Sequence, residues 1–155
     1  MDLSYSEKYR ALQAEVRAFI SEHGHRSPTA LGVRRKPDAK MLAWQRMLVE
    51  RGYTARTVPK KYGGYGAEPD VMEAAIIAEE FSKAGISSGI MSQGISMLVP
   101  TLLEVGTEEQ RERWIRPTIN GEIIWCQGYS EPGAGSDLAS VQTKAVLDGN
   151  QFVVN

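Results

Sequence analysis

The sequence predicts a mainly α chain: an N-terminal helical bundle followed by the first strands of an antiparallel β-domain. Three observations carry this. Apolar residues recur at three- and four-residue steps through most of the chain up to Arg116. Beyond Gly121 the pattern changes to short alternating runs. Asn120-Gly121 and Asp148-Gly149 punctuate those runs as turn dipeptides. Helices grouped first and strands grouped after imply two segregated parts, placed at residues 1–121 and 122–155.

The first helix is expected over Ser6 to His23, with Tyr5, Tyr9, Leu12, Val16, Phe19 and Ile20 forming one apolar stripe and Gly24 ending it. Gly24 to Pro37 reads as a loop, and its basic triplet Arg34-Arg35-Lys36 as solvated. Asp38 caps a second helix reaching Arg51, with Met41, Leu42, Trp44, Gln45 and Leu48 on its inner side and Gly52 closing it. Trp44 at that spacing is core rather than a ligand platform. Thr57 to Gly66 is irregular. Pro69 fits the first turn of a third helix to Lys83, with Val71, Ala74, Ala75, Ala78 and Phe81 as the buried face and Glu79-Glu80 at the surface.

From Gly85 to Leu103 there is no charged residue, and a buried helix is expected over Ser87 to Val99. Pro100 starts a short helix that Gly106 ends. Thr107 and Gln110 form a capping box for the next, which Pro117 is expected to stop. Glu122 to Cys126 has strand composition. So does Ser140 to Leu147, which Asp148-Gly149 turns back into Gln151 to Val154.

Composition narrows the function classes. At 155 residues the chain can bury a real core. Its 18 basic and 19 acidic residues leave a net charge of −1, which argues against a nucleic-acid or membrane surface. Asp2, Glu7, Lys8 and Arg10 stand where a signal peptide needs an apolar core, and no run approaches membrane-spanning length. The single cysteine, Cys126, excludes an internal disulfide, fits a reducing, cytoplasmic setting and reads as a small buried strand residue. His23 and His25 flank Gly24 without further ligands, so no metal site is expected. No nucleophile triad assembles.

The chemistry concentrates between Trp125 and Asp137. Pro132, Gly133 and Gly135 cannot continue a β-ladder, and such a loop can present successive N–H groups to anionic oxygens. Ser130 and Ser136 add two hydroxyls. Gly133-Ala-Gly135 supplies two glycines of a dinucleotide fingerprint, but Leu138 stands at the third, and a strand follows where a helix must open. The Rossmann and P-loop readings both fail on that context.

Gly128-Tyr-Ser-Glu-Pro-Gly-Ala-Gly-Ser-Asp137 resembles the signature of the acyl-CoA dehydrogenases, flavoenzymes that oxidise the Cα–Cβ bond of an acyl-CoA thioester. Val58 to Gly64 and Leu103 to Trp114 carry weaker resemblances. The resemblance implies FAD held by Gln127, Gly128, Tyr129, Ser130, Gly135 and Ser136, with the Ser130 hydroxyl at the pyrimidine end of the flavin ring. It places Ser136 near both the pyrophosphate and the thioester. Many relatives have Thr at position 130 and an aromatic residue at 127, so Ser130 keeps the hydroxyl while Gln127 substitutes an amide. Glu131 and Asp137 are expected to hold the loop through bonds to backbone N–H groups. Met91, Ile95 and Leu98 would border the acyl chain.

The family's catalytic carboxylate belongs to a C-terminal helical domain, so no catalytic residue is assigned among these residues. The implied reading is the N-terminal portion of a longer enzyme, its β-domain cut after three strands and inactive alone. An electron-transfer flavoprotein and a homo- or hetero-oligomer are the implied partners. The alternatives are a flavin-dependent oxidase or monooxygenase relative and a non-catalytic subunit of a hetero-oligomer.

Overall fold

The computed structural model describes residues 5–28 and 36–155. Arg34 and Arg35 of the basic triplet lie outside them. The described chain divides into two compact units, residues 1–125 and residues 126–155.

The first unit is built from five α-helices: α1 (Glu7–His23), α2 (Ala39–Glu50), α3 (Val71–Lys83), α4 (Val99–Val105) and α5 (Glu108–Ile119). Local chemistry sets most of their ends. The Asp38 carboxylate accepts from the Met41 N–H at the start of α2, and Asp70 accepts from Met72 and Glu73 N–H at the start of α3. Thr107 and Gln110 close the expected capping box on α5, at 3.2 Å and 2.9 Å.

Two apolar clusters hold the helices. Val16 and Phe19 of α1 meet Trp44 and Leu48 of α2, Ile77 and Phe81 of α3, and Tyr53. Val49, Val58, Tyr62 and Val99 meet Ile115 and Ile119 of α5. Trp44 is core, only 2% exposed, with its indole N–H donating to the Ser87 carbonyl.

Several expectations give way to tertiary context. Gly24 does not end the helical run: it has right-handed helical angles and opens a 3₁₀ turn to Arg26. Pro69 precedes the cap of α3 instead of sitting in its first turn. The buried face of α3 is Glu73, Ile76, Ile77, Glu80 and Phe81, whereas Val71 is 85% exposed and Ala74, Ala75 and Ala78 face outward. The glutamates are inside because cations meet them. Arg17 Nε lies 2.7 Å from Glu80, Arg56 Nε 2.9 Å from Glu73, and Lys8 Nζ 2.8 Å from both Asp70 and Glu73. Burying a paired charge is tolerated where burying a lone one is not.

Pro117 does not stop α5, which continues to Ile119. The lost N–H bond and the crowding of the preceding carbonyl fall in the last turn, two residues before the helix ends. Glu122 to Cys126 forms no strand. The Glu122 and Ile123 N–H groups instead donate back to the Pro117 carbonyl, closing the end of α5.

The second unit contains a two-stranded antiparallel sheet, β1 (Ala145–Asp148) and β2 (Gln151–Val154), in place of three strands. The register pairs Val146 with Val153, Leu147 with Phe152 and Asp148 with Gln151, so the turn is Gly149-Asn150. Lys144 and Asn155 exchange both backbone bonds at 3.0 Å, extending the ladder by one pair. The strand does not start at Ser140, because Leu138–Ser140 is a 3₁₀ turn.

Candidate functional site

The predicted loop is built around one tight turn. The Glu131 N–H donates to the Ala134 carbonyl at 3.0 Å, and the Ala134 N–H returns the bond at 3.1 Å. Pro132 and Gly133 form its tip, and Ala134 is buried, 1% exposed. The Glu131 carboxylate reaches across to the approach of β1, accepting from the Gln142 N–H at 2.9 Å and the Thr143 N–H at 2.6 Å. The Thr143 side chain and these backbone donors hold its pKa below the usual carboxylate range. Glu131 is thus the loop's fastener, as expected. Asp137 holds the loop differently: its backbone carbonyl, not its carboxylate, accepts from the Ser140 hydroxyl at 2.9 Å.

This fastening leaves the predicted ligand groups outward. Gln127, Gly128, Tyr129, Ser130, Gly135 and Ser136 are all exposed. A Cβ added at Gly128, Gly133 or Gly135 would meet open space. The loop therefore presents hydroxyls and backbone amides on an uncrowded rim, a donor set suited to a phosphate or a carbonyl-rich ring. Cys126 is exposed, contrary to the buried strand position expected of it. Among the described residues no group of three or more His, Cys, Asp or Glu side chains could hold a metal ion.

The uncharged stretch is not a buried helix either. It is largely irregular up to Ser92, then makes a widened π turn over Gly94–Leu98 that runs into α4. Gly89 has φ +107, which a helix does not admit. Met91 is 85% exposed, and Ile95 and Leu98 are half-buried. Two concavities of the helical unit, of about 330 and 220 Å³, are lined by other residues, chiefly His25, Lys40 and Trp44 in one and Lys36, Leu42 and Ile124 in the other. Met91, Ile95 and Leu98 line neither and stand on a partly exposed face.

Residues not singled out by sequence shape that face. The Ile90 N–H donates to Gln45 Oε1 at 2.7 Å, and Gln45 Nε2 donates to the Ile119 carbonyl at 2.7 Å. The Trp125 indole N–H donates to the Thr118 hydroxyl at 2.9 Å. A glutamine set among apolar inner positions of α2 was the available signal for the first pair; nothing in the sequence signals the second.

Residues 6–122 match the family profile described as the acyl-CoA dehydrogenase N-terminal domain. The chain belongs to the acyl-CoA dehydrogenase family. It is 41% identical over 113 residues to the acyl-CoA dehydrogenase IpdE1 of Mycobacterium tuberculosis, a match covering 73% of this chain and 29% of that protein. It is 34% identical to the mitochondrial isovaleryl-CoA dehydrogenase of Pongo abelii over 97% of this chain and 35% of that protein. Its fold is similar to a chain of the ChsE4-ChsE5 complex from Mycobacterium tuberculosis, with a TM-score of 0.68, 30% identity, and coverage of 100% of this chain and 38% of that one. The chain thus spans about a third of the length of these acyl-CoA dehydrogenases, over their N-terminal helical part. Among the described residues no helix is long and apolar enough to cross a membrane.

Proposed function

We propose that this chain forms the N-terminal part of an FAD-dependent enzyme that oxidises the Cα–Cβ bond of an acyl-CoA thioester, with residues 1–121 as its helical domain and 122–155 opening its flavin-binding β-domain. The observation that carries the reading is the loop at Gly128 to Asp137. It unites the family's ten-residue pattern with exposed hydroxyls and amides around a fastened turn. FAD bound there supplies the hydride acceptor.

The chain's own contributions follow from the loop's donors. The Ser130 hydroxyl and neighbouring N–H groups would hold the pyrimidine end of the flavin and, as positioned donors, would stabilise the negative charge that reduction builds there. Gln127, Gly128 and Tyr129 would line the ring, and Gly135 and Ser136 would take the pyrophosphate, with Ser136 also serving the thioester. Met91, Ile95 and Leu98 give the acyl chain an apolar wall. Electrons leave to an electron-transfer flavoprotein. The exposed thiol of Cys126 suits a reducing, cytoplasmic setting.

The test is the enzyme at family length. It should purify yellow, and anaerobic addition of an acyl-CoA should bleach the flavin. A colourless protein that takes up no FAD, or a flavin that no short, long or branched acyl-CoA bleaches, overturns the reading.

Likeness to a chain of the two-protein ChsE4-ChsE5 complex favours one further reading, in which the chain works beside a second, different subunit. Mass measurement after co-expression with a related chain decides it: one species containing both chains supports it, and separate homo-oligomers contradict it.

A further inference from the structure

The π turn over Gly94–Leu98 has a local cause. Pro100 follows it, and proline can neither donate to the carbonyl one turn back nor pass it without a clash. The turn widens, and the Val99 N–H donates to the Gly94 carbonyl, five residues back. Ile95 and Leu98 belong to this turn, so what holds Gly94 at its start bears on where they stand.

One anchor is built around Gly94, which is buried. A Cβ there would run into Trp125 Cδ1 and lie 2.8 Å from Thr118 Cγ2. The Trp125 indole therefore seats on the glycine itself. Its orientation is fixed by a relay: the indole N–H donates to Thr118 Oγ1, and the Thr118 hydroxyl donates to the Trp114 carbonyl at 2.6 Å. The Trp114 ring packs edge-on against Trp125 with centroids 5.6 Å apart. The other anchor is Gln45, which holds the Ile90 N–H. Met91 lies between the two, and Ile95 and Leu98 follow Gly94 by one and four residues.

We propose that Trp125, oriented by Thr118 and seated on Gly94, is a positioning residue that sets the acyl-chain preference by fixing where Ile95 and Leu98 stand. This rests on the reading of Ile95 and Leu98 as the acyl wall. A one-methylene change in wall position is felt by the chain end and not by the thioester, so long and short substrates respond differently.

The experiment measures kcat/KM for short-, medium- and long-chain acyl-CoAs in the family-length enzyme. Thr118→Val keeps the methyl contact with Gly94 and removes the hydroxyl; Thr118→Ser keeps the hydroxyl. Trp125→Phe keeps a ring and removes the N–H. Thr118→Val and Trp125→Phe should change the long-to-short ratio of kcat/KM by about tenfold, the discrimination one methylene gives, at wild-type flavin content. Thr118→Ser should keep the wild-type ratio. Ile95→Ala and Leu98→Ala test the underlying wall directly. If these two shift the ratio while the Thr118 and Trp125 variants lower every substrate equally or change nothing, the positioning role is refuted and the wall stands. If Ile95→Ala and Leu98→Ala also leave the ratio unchanged, the wall reading falls and the proposal falls with it.

Discussion

The two units of this chain are stabilised in different ways. The helical unit buries Trp44, Phe81, Leu48, Ile76, Ile115 and Ile119 almost completely. In the second unit Ala134 alone among the described residues is buried, and every residue of β1 and β2 is exposed. A two-stranded hairpin without an apolar covering is marginal in water. The helical unit thus carries its own core, whereas the second unit offers polar loop groups and a hairpin whose apolar side chains are exposed.

The largest expected effects lie in the helical core. Trp44→Ala should destabilise the chain by about 3–5 kcal/mol in urea unfolding, because its cavity opens among Phe19, Leu48 and Phe81. A loss no larger than that of a surface change would break the division. Next comes Gln45→Leu, which orphans the buried Ile119 carbonyl at about 1–3 kcal/mol and also frees the half-buried Ile90 N–H. The unfolding midpoint reports this too.

A smaller effect depends on pH. The Lys8 ammonium holds the Asp70 carboxyl down to about 2, and Lys8 with Arg56, and Arg17 with Gln13, hold Glu73 and Glu80 below the usual range. Lowered folded-state values mean that the unfolded chain binds more protons through that window. Stability should then be complete above the ordinary carboxylate range of about 4 and fall as pH drops toward about 2. Glu80→Gln should flatten this acid slope and leave the behaviour near neutrality without a pH dependence of its own. An unchanged slope would show that the α1–α3 ion pairs do not couple to folding. Smallest of all, Phe152→Ala on the exposed hairpin should stay within about 0.5 kcal/mol.

The same division explains how much was legible in the sequence. Where a local rule acts alone, it was readable: the stripe of α1, the Asp38 cap, the Thr107-Gln110 box and the Asp148 to Gln151 hairpin. Where partners far along the chain intervene, it was not. Glu80 reads as surface because its cation, Arg17, lies on α1. Glu122 to Cys126 has strand composition, yet its first N–H groups bond to Pro117 and its tryptophan to Thr118. Ser87 to Val99 looked like a buried helix because absence of charge does not distinguish burial from an open apolar face. In the loop, the motif marks Gly128 to Asp137 in the sequence, but the turn fastened through Glu131 is visible only in three dimensions.

The measurement that tests the division most directly is the flavin reduction potential of the family-length enzyme carrying Ser130→Ala. The account places the donor that stabilises the reduced ring in the second unit, so losing its hydroxyl should lower the potential and slow turnover while the helical unit's unfolding midpoint stays where it was. If the potential and the turnover both match the unaltered enzyme, the loop at Gly128 to Asp137 does not hold the flavin in the way assigned to it.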